Sequence, residues 1–252
     1  ITNEGCLMMP MAGNGSRFRQ KGYKIPKPFI QVSGDEMYIK AIMDLPRMEN
    51  IKVITREEII EKRKNFPNIN KKKFNVNAKI LKKTTEGQAC TCLKAMEDKD
   101  INLEKPLIIS ACDMGVIFDN KKYQKLLESK DIDILVWGCK GFPGASKNPN
   151  MYSWIYDDGK FITNISVKKN LNSSIEDNVL IGTFTFKKAK YFINSAKLCI
   201  ANGRKTNGEY YVDDVINFAI ESGLKVALFQ VNYFVCWGTP DELETYKYWE
   251  SC

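Results

Sequence analysis

The chain has 252 residues, 44% of them hydrophobic, and its 38 basic against 30 acidic side chains leave a net charge of +8. That length fits one large α/β domain, or one with a small appendage, and the charge suits an anionic substrate. Histidine is absent, which excludes Ser-His-Asp and Cys-His catalysis and histidine zinc sites, so chemistry must rest on carboxylates, cations and metal.

In chain order, Leu7-Met8-Met9 is an apolar run that predicts a buried strand. It ends in Ala12-Gly13-Asn14-Gly15-Ser16, where two glycines among small residues let backbone N–H groups approach a bound group. Arg17 follows at once, and Lys27 stands ten residues on between Pro26 and Pro28. A small loop, a fork-shaped cation and a point-charge cation together describe a polyphosphate cradle. The segment is neither a Walker A motif nor a full dinucleotide fingerprint. A short extended piece is expected over Phe29–Val32, a helix over Met37–Leu45, a strand over Ile51–Ile54, a charged helix over Glu57–Lys64 and a strand over Ala78–Leu81. A helix starting at Thr84–Gln88 and running to about Glu97 comes next, with Thr84 or Thr85 as a possible cap.

Pro106–Asp113 is an apolar strand that ends on a carboxylate. Ligands of open α/β sheets bind off the carboxyl ends of strands, so Asp113 is expected to face the crevice of Arg17 and Lys27 and to ligate Mg²⁺ with substrate phosphates and water. The alternative is an N-cap for a following helix. A strand over Asp133–Cys139, a Gly/Pro/Asn loop from Gly141 to Pro149, and a hairpin (Met151–Tyr156, Lys160–Val167) around Asp157-Asp158-Gly159 follow. Then come a strand over Val179–Phe186, a helix over Lys187–Ala201, a helix starting within Asn207–Asp214, and a last strand over Val226–Val231.

Eight cysteines form no Cys-x-x-Cys pair; Cys6, Cys112, Cys139 and Cys199 sit in apolar runs and suggest buried thiols of a reducing cytosol, so a cytoplasmic protein is expected. Lys71-Lys72-Lys73, the one tight basic run, has the composition of a solvated loop, and no nucleic-acid partner is expected. No apolar run approaches the ~18 residues of a membrane span. The start ITNEGCL lacks the regions of a secretory signal, and a first residue of Ile leaves open an upstream extension.

Gly-Asn-Gly-Ser-Arg-Phe with Pro-Lys-Pro ten residues on resembles the signature of the sugar-phosphate nucleotidyltransferases (NDP-sugar pyrophosphorylases), most closely small bacterial members with a catalytic domain alone. The resemblance extends to about Tyr246 and implies roles by position. Met11, Ala12, Gly13, Asn14, Gly15 and Ser16 would bind the nucleotide, with Gly87 and Gln88 at the nucleobase edge. Arg17 would hold the leaving β- and γ-phosphates, Lys27 would offset charge at the α-phosphate, and Asp113 would be the catalytic metal ligand. In Lys168-Lys169-Asn170, where relatives carry Lys-Pro, either lysine is a candidate for the acceptor phosphate. Gly182 would lie under the acceptor and Glu209, in Gly-Glu-Tyr-Tyr, would contact it, although a helix start with acids complementing the dipole explains Glu209 as well. The departure is Cys236, which stands where relatives often carry a second metal-binding Asp, leaving Asp113 alone or assisted by another acid such as Asp214.

The expected fold is a doubly wound, mostly parallel Rossmann-like α/β sheet, with residues 1–140 and 186–252 as nucleotide-binding core and 141–185 as a small β-rich acceptor subdomain. The expected activity is transfer of NMP from an NTP to a sugar 1-phosphate with Mg²⁺, releasing pyrophosphate, for surface polysaccharide such as capsule; a homo-oligomer is compatible with this. The alternatives are a cytidylyltransferase acting on a small non-sugar phosphate, a GT-A-like glycosyltransferase, which would be expected to show Asp-x-Asp where this chain has Asp113-Met114-Gly115, and a nucleotide-sensing domain.

Overall fold

A computed structural model describes residues 2–63, 74, 76–98, 100–170 and 176–252; the Lys71–Lys73 run lies outside them. Apolar side chains on both faces of the first strand dictate its place. In Asn3–Pro10, Leu7 and Met9 point into one core and Cys6 and Met8 into another, so the strand is buried on both sides. Leu107–Ser110 and Ile134–Cys139 alternate in the same way, with Ile108 and Leu135 on one side and Ile109 and Val136 on the other. Such strands need a layer of helices on each face. Gln88–Met96, Ala189–Asn202 and Val212–Glu221 cover one face; Met37–Met43, Asn120–Glu128 and Pro240–Glu250 contribute to the other.

The described residues form a nine-stranded mixed sheet. Its path runs Ile162–Ser166, Ser153–Asp157, Asn178–Phe186, Leu107–Ser110, Asn3–Pro10, Met48–Arg56, Val76–Leu81, and the last four strands are mutually parallel. Asn178–Phe186 is antiparallel to its neighbours and also pairs with Ile134–Cys139, which in turn carries Val226–Gln230 in parallel. It turns from one set of partners to the other at a register shift between Leu180 and Phe184, where Gly182 takes a φ of 78°. The predicted hairpin forms as Ser153–Asp157 and Ile162–Ser166 and continues this sheet. Asp158 fixes its turn by accepting from Lys160 N (2.9 Å) and Phe161 N (2.7 Å).

Several expectations change. Lys27–Phe29 is a single 3₁₀ turn, and only Gln31–Val32 of the expected extended piece is a strand. Glu57–Glu61 is helical, shorter than Glu57–Lys64, whose end lies outside the described residues. The segment after Asp113 is a strand, Met114–Ile117, paired with Tyr233–Cys236, so Asp113 caps no helix. Asn120–Glu128 and Pro240–Glu250 are helices beyond those expected; Tyr123, Leu126 and Leu127 stand at helical spacing and pack the first against the core, while Pro240 and Leu243 are the buried side chains of the second. Their signals are caps: Asp119 accepts from Lys121 N and Lys122 N, and Thr239 and Glu242 make a capping box.

An aromatic cluster ties the sheet to Asn120–Glu128. Trp137 packs edge-on against Phe229 (4.7 Å between ring centroids) and Phe118 (5.0 Å), and its Nε1 donates to Thr185 Oγ1 (3.0 Å). Trp137→Ala would empty the centre of this cluster and take one partner from the Thr185 hydroxyl, leaving it that of Tyr123 (3.3 Å), and the expected loss is about 3–5 kcal/mol of unfolding free energy. Urea denaturation checks it; a loss below ~1 kcal/mol would show that the cluster does not anchor the sheet.

Candidate active site

The carboxyl ends of the parallel strands open onto a cleft of about 580 Å³. Residues far apart in sequence meet there: Gly13, Arg17 and Lys27 from the first loop, Gly87 and Gln88 from the second, and Asp113, Lys168, Gly182 and Glu209 from later segments. Ala12 and Asn14 also line it. Met11 is buried beneath the loop, and neither it nor Gly15, Ser16 or Lys169 lines the cleft.

At the centre, the Lys27 ammonium donates to Asp113 Oδ2, with both side chains only about one-fifth exposed (21% and 22%). Burial alone would raise the Asp113 carboxyl, but the adjacent Lys27 charge overrides it and the net direction is down. Lys27 mirrors this: burial pulls it down, Asp113 more than restores it, and its net direction is up. Both groups are charged, and each keeps the other so. Pro26 and Pro28 restrain the backbone on either side of Lys27, and Gly15, with φ 58°, lets the loop pass close to its Cβ. Arg17 lines the same cleft from the first turn of Ser16–Gln20.

Behind the loop, Arg56 donates from Nη2 to Asn14 Oδ1 (2.8 Å) and from Nη1 to Glu58 (3.2 Å). Arg56 is buried and ends its strand, yet the sequence reading passed over it because its partner is 42 positions away.

Gly87 has a reason of its own to be glycine. Its φ is 134°, and a Cβ there would stand 2.5 Å from Tyr210 N and 2.6 Å from Tyr210 O. The two backbones are stitched together by Tyr210 N to Glu86 O (2.8 Å) and Ala89 N to Tyr210 O (2.9 Å). No threonine caps this helix: Gly87 is its N-cap residue, without a side-chain cap, and Thr85 Oγ1 donates instead to Gly87 O (2.9 Å). Glu209 belongs to the same stitch. It precedes the helix, which starts at Val212, and sits exposed beside a tight turn in which Thr206 and Glu209 exchange both backbone hydrogen bonds (3.0 and 2.9 Å). The acids in the first helical turn are Asp213 and Asp214.

Of the two lysines, Lys168 faces the cleft and Lys169 is exposed outside it. Lys168 has a φ of 51° and its N–H donates to Ser153 Oγ (3.2 Å), whose own proton goes to the buried Asp213 Oδ2 (2.5 Å). The Lys168 ammonium donates to Met151 O (2.9 Å) and lies 5.9 Å from the centre of the Tyr211 ring.

Cys236 and Gly238 flank Asp113: a Cβ on Gly238 would stand 3.1 Å from both Asp113 Oδ2 and Cys236 Sγ. The thiol donates to Glu242 Oε2 (3.3 Å), and burial, with the Asp113 and Glu242 carboxylates, pushes it up, so it stays neutral. Asp214 does not line the cleft; its Oδ1 accepts from Thr206 Oγ1 (3.1 Å). Among the described residues no three Cys, Asp or Glu side chains converge as a metal cage. Asp113 is a hard carboxylate in a cleft also lined by Arg17, Lys27 and Lys168, a donor set that fits Mg²⁺ in its usual mode of one or two carboxylates plus substrate oxygens.

No protein-family model matches the sequence, and no curated protein matches it. Solved structures do match the fold. A nucleoside-diphosphate-sugar pyrophosphorylase from Vibrio cholerae is similar with a TM-score of 0.70 at 17% identity, over 95% of this chain and 98% of that one. The inositol-1-phosphate CTP transferase from T. maritima gives 0.70 at 17% identity, over 98% and 94%. A UDP-glucose pyrophosphorylase complexed with UDP-glucose gives 0.72 at 14% identity, over 100% of both chains. At these identities the likeness is one of fold: the chain has the α/β fold of these nucleotidyltransferases along its length.

Two predictions test the scaffold of the cleft. Gly87→Ala should separate the two stitched loops and lower the melting temperature by several degrees, which calorimetry reads; an unchanged melting temperature would mean that the Tyr210 contact is not required. Burial first, and Asp213 beside it, push Asp214 up to about 6 from the ordinary 3.8. A raised carboxyl in the folded state opposes folding once it is ionised, so its penalty is absent below pH ~4 and complete above pH ~6. Asp214→Asn should therefore stabilise the protein at pH 7.5, by on the order of 1–2 kcal/mol, and leave it unchanged at pH 4. A stabilisation equal at both pH values would rule out the titration.

Proposed function

We propose that this protein is a nucleotidyltransferase, which joins a phosphorylated acceptor to the NMP portion of an NTP. An acceptor phosphate oxygen forms a bond to the α-phosphorus, the α–β phosphoanhydride bond breaks, and its electron pair leaves with pyrophosphate. The nucleophile is already an anion, so no general base is needed, in keeping with a chain without histidine. The observation that carries this reading is the buried Lys27–Asp113 pair in one cleft with Arg17, the Gly13 loop and Lys168.

Catalysis would then be positioning and charge neutralisation. The Gly13–Asn14 backbone and the Gly87–Gln88 turn would bracket the nucleoside, with Arg56 holding Asn14 in place. Arg17 would take the departing β- and γ-phosphates. Lys27 would swing its ammonium from Asp113 to the α-phosphate, where negative charge accumulates. Lys168, rather than Lys169, would hold the acceptor phosphate, with Gly182 beneath and Glu209 beside the acceptor. Asp113 would hold Mg²⁺, which would supply charge neutralisation between the two phosphates. Residues 141–185 would form most of the acceptor side.

For the acceptor, a sugar 1-phosphate is supported by the fold shared with sugar-nucleotide pyrophosphorylases, and an activated sugar of this kind would serve surface polysaccharide assembly in the cytoplasm, where NTPs are made. No helix of the described residues is long and apolar enough to cross a membrane. A cytidylyl transfer to a non-sugar phosphate is the second reading, favoured by Cys236 in place of a carboxylate beside Asp113 and by the fold shared with an inositol-1-phosphate CTP transferase.

Pyrophosphate release should appear with Mg²⁺, one of the four NTPs and a pool of phosphorylated acceptors. Lys27→Ala and Asp113→Ala should each lower kcat/KM by about 10²–10³-fold. Tight binding of an NDP-sugar without release from any NTP would overturn the reading.

A further inference from the structure

Beyond the cleft, a second and larger cavity of about 960 Å³ opens between the 142–151 segment, where the expected loop instead holds a short helix over Pro143–Lys147 and a 3₁₀ turn over Pro149–Met151, and the Pro240–Glu250 helix. The two share Arg17, Met151, Phe234, Cys236, Thr239 and Glu242, so the second is continuous with the first. The junction is also where Lys168 is anchored, since Met151, whose carbonyl takes the Lys168 ammonium, borders both. A group attached to a phosphate at Lys168 would therefore lie beside the second cavity.

The walls of that cavity are mostly apolar, with Arg17, Gln20, Lys147, Asn148 and Thr245 among the polar residues that also line it. Phe142 packs edge-on against Phe234 (4.7 Å) and Tyr152 (5.4 Å), and Pro143, Val235 and Trp249 extend the surface. Trp249 is 69% exposed, an uncommon state for a tryptophan, whereas Trp137, Trp154 and Trp237 are all buried. The carboxylate at its inner end is already committed. Glu242 Oε1 accepts from the Tyr152 hydroxyl, and Oε2 accepts from Thr239 N (3.1 Å), Thr239 Oγ1 (2.9 Å) and the Cys236 thiol. At the rim, Asp241 is paired with Lys21 (3.2 Å). The two carboxylates are thus engaged, and an alkyl or aryl group lying against Phe234, Val235 and Trp249 would gain from leaving water.

Resting on the nucleotidyl-transfer reading in its second form, with a non-sugar phosphate as acceptor, we propose that this annex is an acceptor-specificity site, and that the acceptor is a phosphate monoester carrying an apolar group that lies against Phe234, Val235 and Trp249. Its phosphate is held at Lys168 and its apolar portion occupies the annex. Trp249 is then a specificity residue and stands outside the reacting centre.

The test compares methyl phosphate, glucose 1-phosphate and 2-phenylethyl phosphate as acceptors, by pyrophosphate release with the preferred NTP. We expect kcat/KM for 2-phenylethyl phosphate to exceed that for the other two by about 10-fold or more. Trp249→Ala, an exposed site whose change spares the fold, should abolish most of that advantage through KM while leaving methyl phosphate and the NTP unaffected. Equal kcat/KM for methyl and 2-phenylethyl phosphates, preference for glucose 1-phosphate, or a Trp249→Ala effect common to all three would overturn the proposal and leave nucleotidyl transfer standing. Absence of release with every acceptor would overturn nucleotidyl transfer instead, and titration of Trp249 fluorescence then reads the annex on its own. Saturable quenching by 2-phenylethyl phosphate, absent with methyl phosphate, would support an apolar-phosphate site. No quenching, or a dimer in sedimentation that covers Trp249, would refute it.

Discussion

A buried ion pair sits where the sheet opens, and the site is arranged around it. Lys27 and Asp113 meet there, and burial opposes the charge of each while the other's charge favours it. Their pairing holds a cation and a carboxylate ready in a partly dry place. Substrate phosphates can then replace Asp113 as the partner of Lys27, and a divalent cation can replace Lys27 as the partner of Asp113. The pair thus stores the electrostatics of the site in a form that keeps the empty cleft stable.

Around this centre, loops that carry no regular structure are made rigid by backbone contacts. The Gly87 turn is fixed because Tyr210 lies directly against it, closer than any side chain would allow. The Lys168 backbone is held in a left-handed conformation by Ser153, and Ser153 by Asp213. Arg56 braces Asn14 from behind. In each case a buried polar group meets its hydrogen-bonding requirement by immobilising a segment that faces substrate, which is how one network serves both stability and preorganisation.

The substitution at Cys236 changes the neighbourhood of Asp113 more than it changes the fold. A neutral thiol cannot share a hard cation as a carboxylate would, and the nearby Glu242 is spent on Tyr152, Thr239 and the thiol itself. The same set of bonds leaves the cavity beyond it walled by aromatic and aliphatic side chains. A neutral thiol beside Asp113 and a mostly apolar annex beyond it are therefore two consequences of one local arrangement.

The residues 7–28 were legible from sequence because everything that defines them is local: an apolar strand, two glycines, an arginine and a lysine between prolines. Asp113 was legible too, as the carboxylate at the end of an apolar run, and the alternation of Leu7, Met8 and Met9 already required a sheet covered on both faces. Pairings across the chain were not. That Asp113 meets Lys27, that Gly87 is pressed by Tyr210, that Arg56 holds Asn14, and that Lys168 rather than Lys169 enters the cleft all depend on contacts between segments tens of residues apart. The helix Pro240–Glu250 shows little apolar periodicity because so little of it is buried. Sequence alone determined which chemistry the chain can offer and where its glycine loop with Arg17 and Lys27 lies, because backbone freedom and side-chain charge are properties of single residues. Only the tertiary structure decided which groups face one another and where the acceptor has room, because burial, pairing and cavity shape exist only once distant strands have been brought side by side.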